Sequence, residues 1–318
     1  MTDAPTIAKK KGGMRLLKKA KAIPFFVFAI LFVMLFFLRN TNLAKEGVIK
    51  GLRLAALSVL PSIFPFLVLS DLLVTEGGLP QRASDWLAPL FRLPPAACSA
   101  ILLGWICGFP VGAVYAAKEF EHGNLTTEET ERTAAAASIP SPAFLIGAVG
   151  NGLLHDPIAG VYLWTSCVLS AAIICAFYGK KRQKYRKVPQ KAERNISVPF
   201  FKALTDAVRN AAGISLNLFA FVAFFSVLIE AVKAVFARFG LPSFLGVSVA
   251  ALLEISNGIS SSSALPAPFL LPFCAAVCGW SGFSVHFQIF SVLGKIRLHY
   301  GKYLAAKAFQ GPVQDPGR

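Results

Sequence analysis

From Leu252 to Leu265 the chain reads Leu-Leu-Glu-Ile-Ser-Asn-Gly-Ile-Ser-Ser-Ser-Ser-Ala-Leu, an acid, an amide and five hydroxyls set between two apolar arms. Lipid cannot solvate such a segment, so at membrane depth it survives only where protein buries it or where it lines a cavity. Ser256, Asn257 and Ser260 to Ser263 supply donors and acceptors of the kind that hold a small polar solute. An ionised carboxylate at that depth costs several kcal/mol, so Glu254 must be protonated, paired or bound to a cation when the cavity is closed. That makes Glu254 the first candidate for coupling to a proton or sodium ion. A serine-rich external loop, with Asn257-Gly258 as its turn and Glu254 at a wet rim, is the competing reading.

Composition decides the surroundings of this segment. Of 318 residues 55% are apolar and 15% charged, and the apolar residues come in long runs, as in an all-α polytopic membrane protein. The net charge of +16 is clustered: Lys9 to Lys21 holds seven basic residues and Lys180 to Arg194 holds eight. Both clusters border apolar runs and accompany no nucleic-acid motif. They read as cytoplasmic anchors beside anionic lipid, which excludes nucleic acid as a partner. Cys98, Cys107, Cys167, Cys175, Cys274 and Cys278 all lie inside apolar runs and form no Cys-x-x-Cys pair. They read as small packing residues, with no metal and no cofactor expected.

The elements that position the segment follow in order. A basic tail, 1–22, precedes an uncleaved first span and a loop, 23–46. Leu52 to Val74, with Pro61, Pro65 and Asp71, is the next span, and Pro80 to Arg92 reads as an interfacial helix. Pro95 to Ala117 is interrupted by Gly104-Trp-Ile-Cys-Gly-Phe-Pro-Val-Gly, and Thr126 or Thr127 caps a helix that breaks at Ile139-Pro-Ser-Pro-Ala-Phe. Ile158 to Tyr178 spans again, so 47–179 forms a first repeat before a basic linker, 180–197. The second repeat, 198–310, opens with an interfacial helix around Phe200 to Ala211 and a span from Gly213 to Val235, then a broken arm at Gly258 and another at Gly279 to Gln288; 311–318 is a tail. Interrupted segments at corresponding places in two halves point to a transporter's binding site.

Topology supplies a second line of inference. If Pro95 to Ala117 is a re-entrant hairpin turning near Gly108, the basic linker falls inside, and the spans Leu52 to Val74 and Gly213 to Val235 run in opposite directions. The halves are then inverted repeats. The second hairpin, Phe244 to Ala276, would have its tip at Ser256 to Ser263. A last span, Ser281 to Gly294, would bring Lys295, Arg297, Lys302 and Lys307 inside, while Arg39, Lys45 and Lys50 remain outside as a mild misfit. Two tips meeting near the midplane aim unpaired backbone groups at one cavity. Candidate substrate contacts are Glu254, Ser256, Asn257, Ser260 and Ser261 from the second half, Ser141, Gly108 and Gly112 from the first, and Gln288, with His286 beside it, from the last span.

Pro61-Ser-Ile-Phe-Pro-Phe, Gly108-Phe-Pro-Val-Gly-Ala, Ser141-Pro-Ala-Phe and Glu254-Ile-Ser-Asn-Gly together resemble the YlbJ-like sporulation integral membrane proteins of endospore-forming bacteria, also called SpoVV. The resemblance covers nearly everything from Gly47 to Phe309. It implies nucleoside-recognition Gate domains, an architecture like that of concentrative nucleoside transporters, and transport of dipicolinic acid into the forespore across its outer membrane. Ser141-Pro142 stands where the family leads one to expect Asn-Pro. The expected partners are membrane lipid, the solute, a coupling proton or sodium ion, and further copies of the chain as a homo-oligomer. Chemistry leaves the solute open: dipicolinate is a dianion, no Lys or Arg is expected at the centre of a span, and a neutral nucleoside suits an acid and an amide more directly. A non-transporting scaffold or signalling protein also remains. An intramembrane serine protease is disfavoured, because Gly258-Ile-Ser260 runs on into Ser261 rather than forming Gly-x-Ser-Gly, so no enzyme is expected.

Overall fold

Apolar runs punctuated by proline and glycine fold into helices and, among the described residues, into no strand. The computed structural model describes residues 27–75, 81–177, 199–263, 265–294, 296 and 298–313. The basic tail, the basic linker, Lys295 and Arg297 lie outside the described residues. The chain divides into two units, Met1–Glu46 and Gly47–Arg318. In the first, helix α1 covers Val27–Arg39 and exposes Phe28, Phe32 and Leu35.

Where a loop was expected after the first span, helix α2 covers Thr41–Leu54. The reason is a pair of small residues one turn apart. Gly47 and Gly51 are buried, and a Cβ on Gly47 would lie 2.7 Å from the Cα of Val227, so this face packs backbone to backbone. A π-helical stretch, Ala55–Val59, leads into α3, Leu60–Thr75. Pro61 has no N–H to donate to the carbonyl one turn back, and the chain widens there.

Helix α4, Gln81–Phe91, buries Leu87 and Phe91 and leaves Trp86 and Leu90 exposed. It meets α5, Pro95–Cys107, at 103°. Helix α6, Val111–Glu121, folds back on α5 through Gly108-Phe-Pro, and α7, Thr127–Ala137, packs on both. A full capping box starts α7: Glu129 N–H donates to Thr126 Oγ1, and Thr126 N–H donates to the Glu129 carboxylate. After the break at Ser138 to Pro142 a π-helix, Ala143–Leu154, packs on α8, Pro157–Phe177.

Helix α9 runs unbroken over Phe200–Arg238, where an interfacial helix and a separate span were expected. Its buried stripe, Ala203, Ala207, Ala211, Ser215, Leu218 and Val222, passes through Gly213 without interruption, and Phe200, Phe201 and Val208 face outward. The stripe begins with small residues four apart and continues with Leu218 and Val222 on the same face.

The second hairpin also turns elsewhere than expected. Helix α10 is Ser243–Leu253 and α11 is Ile255–Ser262, so the tip is Glu254; Ser256 to Ser262 are helical. Gly258 is no breaker. A Cβ there would lie 2.5 Å from the Cα of Ala251, and its bareness lets α11 lie against α10. Helix α12, Ala267–Trp280, breaks at Ser281 (φ 72°) into α13, Gly282–Leu293. The end of the chain adds α14, Tyr300–Val313, against α7, α8 and α12.

Four stretches among the described residues are long and apolar enough to cross a membrane: Thr41–Leu73, Pro157–Ala176, Phe200–Arg238 and Ala267–Leu293. The bent pair formed by α4 and α5 is a fifth candidate or a re-entrant loop. The chain is a polytopic helical membrane protein.

Candidate functional site

The hairpin tip between α5 and α6 and the break after α7 are tied to each other. Phe109 N–H donates to the Ile139 carbonyl at 3.1 Å. Gly108 adopts φ +78°, and a Cβ there would come within 2.7 Å of Ser141, so no other residue fits without displacing the break. Ser141 is buried, and its Oγ accepts from Phe144 N–H at 3.1 Å, capping the first turn of the π-helix. Trp105 Nε1 donates to the Ala136 carbonyl at 3.0 Å and fixes the last turn of α7.

In the second half the extended backbone of Glu254 (φ −151°, ψ 126°) reverses the chain, and its side chain caps α11. Glu254 is 1% exposed. One carboxylate oxygen accepts from Ser256 N–H at 3.1 Å; the other accepts from Asn257 N–H at 2.7 Å and from the Asn257 side-chain amide at 2.9 Å. The same amide nitrogen donates to Ser226 Oγ on α9 at 2.9 Å. Three of about four acceptor positions on the carboxylate are thus filled from its own segment. The start of α13 presses on this tip, for a Cβ on Gly282 would lie 3.0 Å from the Cα of Glu254.

The two breaks share a cavity. Ser141 and Phe109 come from one half, Glu254, Ser256 and Gln288 from the other, and Ile63 and Leu218 of α3 and α9 close it. Its volume is about 30 Å³. That is room for about one water, against the roughly 300 Å³ at which ligand pockets begin. In this conformation the cavity is therefore too small for a drug-sized molecule.

Four of the residues singled out in the sequence, Ser141, Glu254, Ser256 and Gln288, line this cavity. Asn257 stands behind Glu254 and orients it. Gly108 shapes the wall without lining it, and Gly112 lies at the contact of α6 with α7, where a Cβ would come 2.6 Å from that of Ala137. Ser260 is exposed and Ser261 Oγ accepts from Lys233 Nζ at 3.4 Å; both sit a turn or more along α11 from the tip, because the segment is helical. His286 also lies away from the cavity, with its Nδ1 3.2 Å from the Tyr303 hydroxyl and its ring edge-on to Trp280. Asp71 accepts from the Asn210 side-chain amide at 3.0 Å, a tie between α3 and α9.

One residue near the site was expected only as an inside charge following the last span. Lys307 is 1% exposed, and its Nζ donates to the Ser138 carbonyl at 2.8 Å and to Gln310 Oε1 at 2.6 Å. Gln310 Nε2 in turn donates to the Cys167 carbonyl and to Ser170 Oγ on α8, both at 3.3 Å. Ser138 is the C-cap of α7, so the ammonium sits on the negative end of that helix, whose first turn carries Glu128 and Glu129. The signal was there in the spacing: Tyr303, Lys307 and Gln310 fall on one helical face of a segment otherwise rich in alanine.

The chain is thus a polytopic helical membrane protein in which two buried breaks face one cavity. Across 290 residues it is 24% identical to the sporulation integral membrane protein YlbJ of Bacillus subtilis (strain 168), covering 80% of this chain and 71% of that protein. No family model and no solved structure matches the chain.

Proposed function

We propose that this protein is a secondary transporter of a small polar or anionic solute, with dipicolinate, carried into the forespore during sporulation, as the first solute to test. The observation that carries the reading is the convergence of two broken segments, distant in sequence, on one closed cavity lined by Ser141 and Glu254. The order of elements supports two inverted repeats. A span (α3), a hairpin (α5 and α6), a broken helix (α7 with the π-helix) and a closing helix (α8) are followed by a span (α9), a hairpin (α10 and α11), a broken helix (α12 with α13) and a closing helix (α14). Similarity to YlbJ supports a place in a bacterial sporulation membrane, and the outer forespore membrane is the site of action proposed here.

In this reading the wall of the cavity is rebuilt as the hairpins move against α3 and α9. Helix ends and side-chain hydroxyls then replace the hydration of the solute. A nucleoside is the second reading, favoured because the residues lining the closed cavity include no Lys or Arg. Proteoliposomes holding the purified chain would be supplied with labelled dipicolinate or labelled uridine, with Asn257→Ala as control. Dipicolinate flux that falls in the control supports the first reading, and uridine flux alone supports the second. Absence of both fluxes would overturn transport and favour a scaffold role.

A further inference from the structure

Lys307 is a basic side chain in a place where a charge is costly. It is buried, and the partners its Nζ contacts, the Ser138 carbonyl and the Gln310 amide oxygen, are both neutral. Among the described residues no carboxylate pairs with it. A buried ammonium held only by neutral acceptors keeps much of its desolvation cost, and a methionine of similar length would fill the same space without it. Capping α7 accounts for part of its presence, but a helix C-terminus is well served by glycine or by water.

The position of the charge narrows its role. Ser138 and Ser141 bound the break after α7; Ser141 lines the closed cavity, and Ser138 holds the ammonium. The break is pinned on one side by Phe109 N–H on the Ile139 carbonyl and on the other by Lys307 on Ser138. Any motion that widens the cavity at Ser141 moves the carbonyl that Lys307 holds. The remaining polar neighbours are uncharged: Gln310, Ser170 and the Cys167 carbonyl. The Tyr303 hydroxyl, one turn back on α14, is engaged with His286.

We propose that Lys307 determines the charge preference of the carrier: when the break from Ser138 to Ser141 rearranges to admit a solute, the ammonium exchanges the Ser138 carbonyl for a carboxylate of that solute. The inference rests on the transport reading and deepens it, since it supplies the cation that the lining of the closed cavity lacks. Charge-assisted hydrogen bonds to carboxylate are stronger than those to a peptide carbonyl, which gives the exchange its direction.

Two variants test it against the wild-type chain in proteoliposomes, with pyridine-2,6-dicarboxylate and its neutral diamide as paired probes. Gln310→Glu is isosteric and places a fixed carboxylate where Oε1 now lies 2.6 Å from the ammonium. Lys307→Met removes the charge. The wild type is expected to take up the dianion over the diamide by about ten- to a hundredfold, the range of one charge-assisted hydrogen bond, and both variants to bring that ratio near one. A purely structural role would lower both rates together and leave the ratio where it was, and that result in Gln310→Glu would overturn the proposal while transport stands. Should Lys307→Met fail to elute as a monodisperse species, Gln310→Glu decides alone. A wild-type chain that moves neither probe would overturn the transport reading, and this inference with it.

Discussion

Glu254 is a hydrogen-bond acceptor before it is anything else. Its two oxygens take the free N–H groups at the start of α11 and the Asn257 side chain. Glu254→Gln keeps one acceptor and turns an amide NH2 toward the remaining donor. The chain in detergent should lose about 1–2 kcal/mol of stability, as for loss of an N-cap, read as a lowered thermal midpoint. If Glu254 also couples transport to a proton, the same variant should carry dipicolinate with no dependence on pH; a wild-type pH profile in Glu254→Gln would remove that role and leave the cap. Glycines divide just as sharply. A Cβ on Gly258 would meet the Cα of Ala251 at 2.5 Å, whereas Gly213 has nothing within 4 Å. Gly258→Ala should cost about 1–3 kcal/mol by overpacking, and Gly213→Ala, in the middle of α9, should add about 0.5–1 kcal/mol of stability. Equal effects in a thermal unfolding assay would mean that α10 and α11 do not lie as close as described.

At the scale of elements, side chains cap the starts of α7 and α11. The capping box of α7 pairs its N-terminus with Glu129, and Lys307 takes its C-terminus. Thr126→Ala should therefore lower stability by about 1 kcal/mol, measured by denaturation in detergent. The composition, the breaks at Gly108 and at Ile139 to Pro142, and the start of α7 could all be read from residue order, because proline, glycine and caps act locally. The turn at Glu254 could not. A glycine in Asn257-Gly258 suggests a turn, yet it serves a close helix contact that only the folded chain reveals. The same holds for Gly47 and Gly51, whose four-residue spacing makes α2 a packed helix where a loop was expected after the first span. Of the residues expected to form the site, Ser141, Glu254 and Ser256 beside the breaks and Gln288 on α13 reached the cavity. Ser260 and Ser261 did not, because helical geometry carried them past it. Lys307 was hidden for the opposite reason: in sequence, a lysine near a chain end reads as solvated until its helix is seen to fold back into the core.

Across the whole molecule, the proposed inverted arrangement sets the start of α7 and the end of α9 on opposite sides of the membrane. His122 and Arg238 are exposed at those two places, and the six native cysteines are all buried, so background labelling is small. With His122→Cys and Arg238→Cys made singly, a membrane-impermeant maleimide added to intact cells should label only Arg238→Cys, and permeabilisation should expose His122→Cys. Labelling of both from the same side would overturn the inverted topology. The narrowness of the cavity bears on what the protein costs a cell that holds it idle. At about 30 Å³, it has room for about one water and so no continuous file of water molecules along which protons could hop. On the proposed transport reading, membranes crowded with resting copies should hold their ion gradients as well as bare lipid does, and leakage, where it appears, should arrive only with solute.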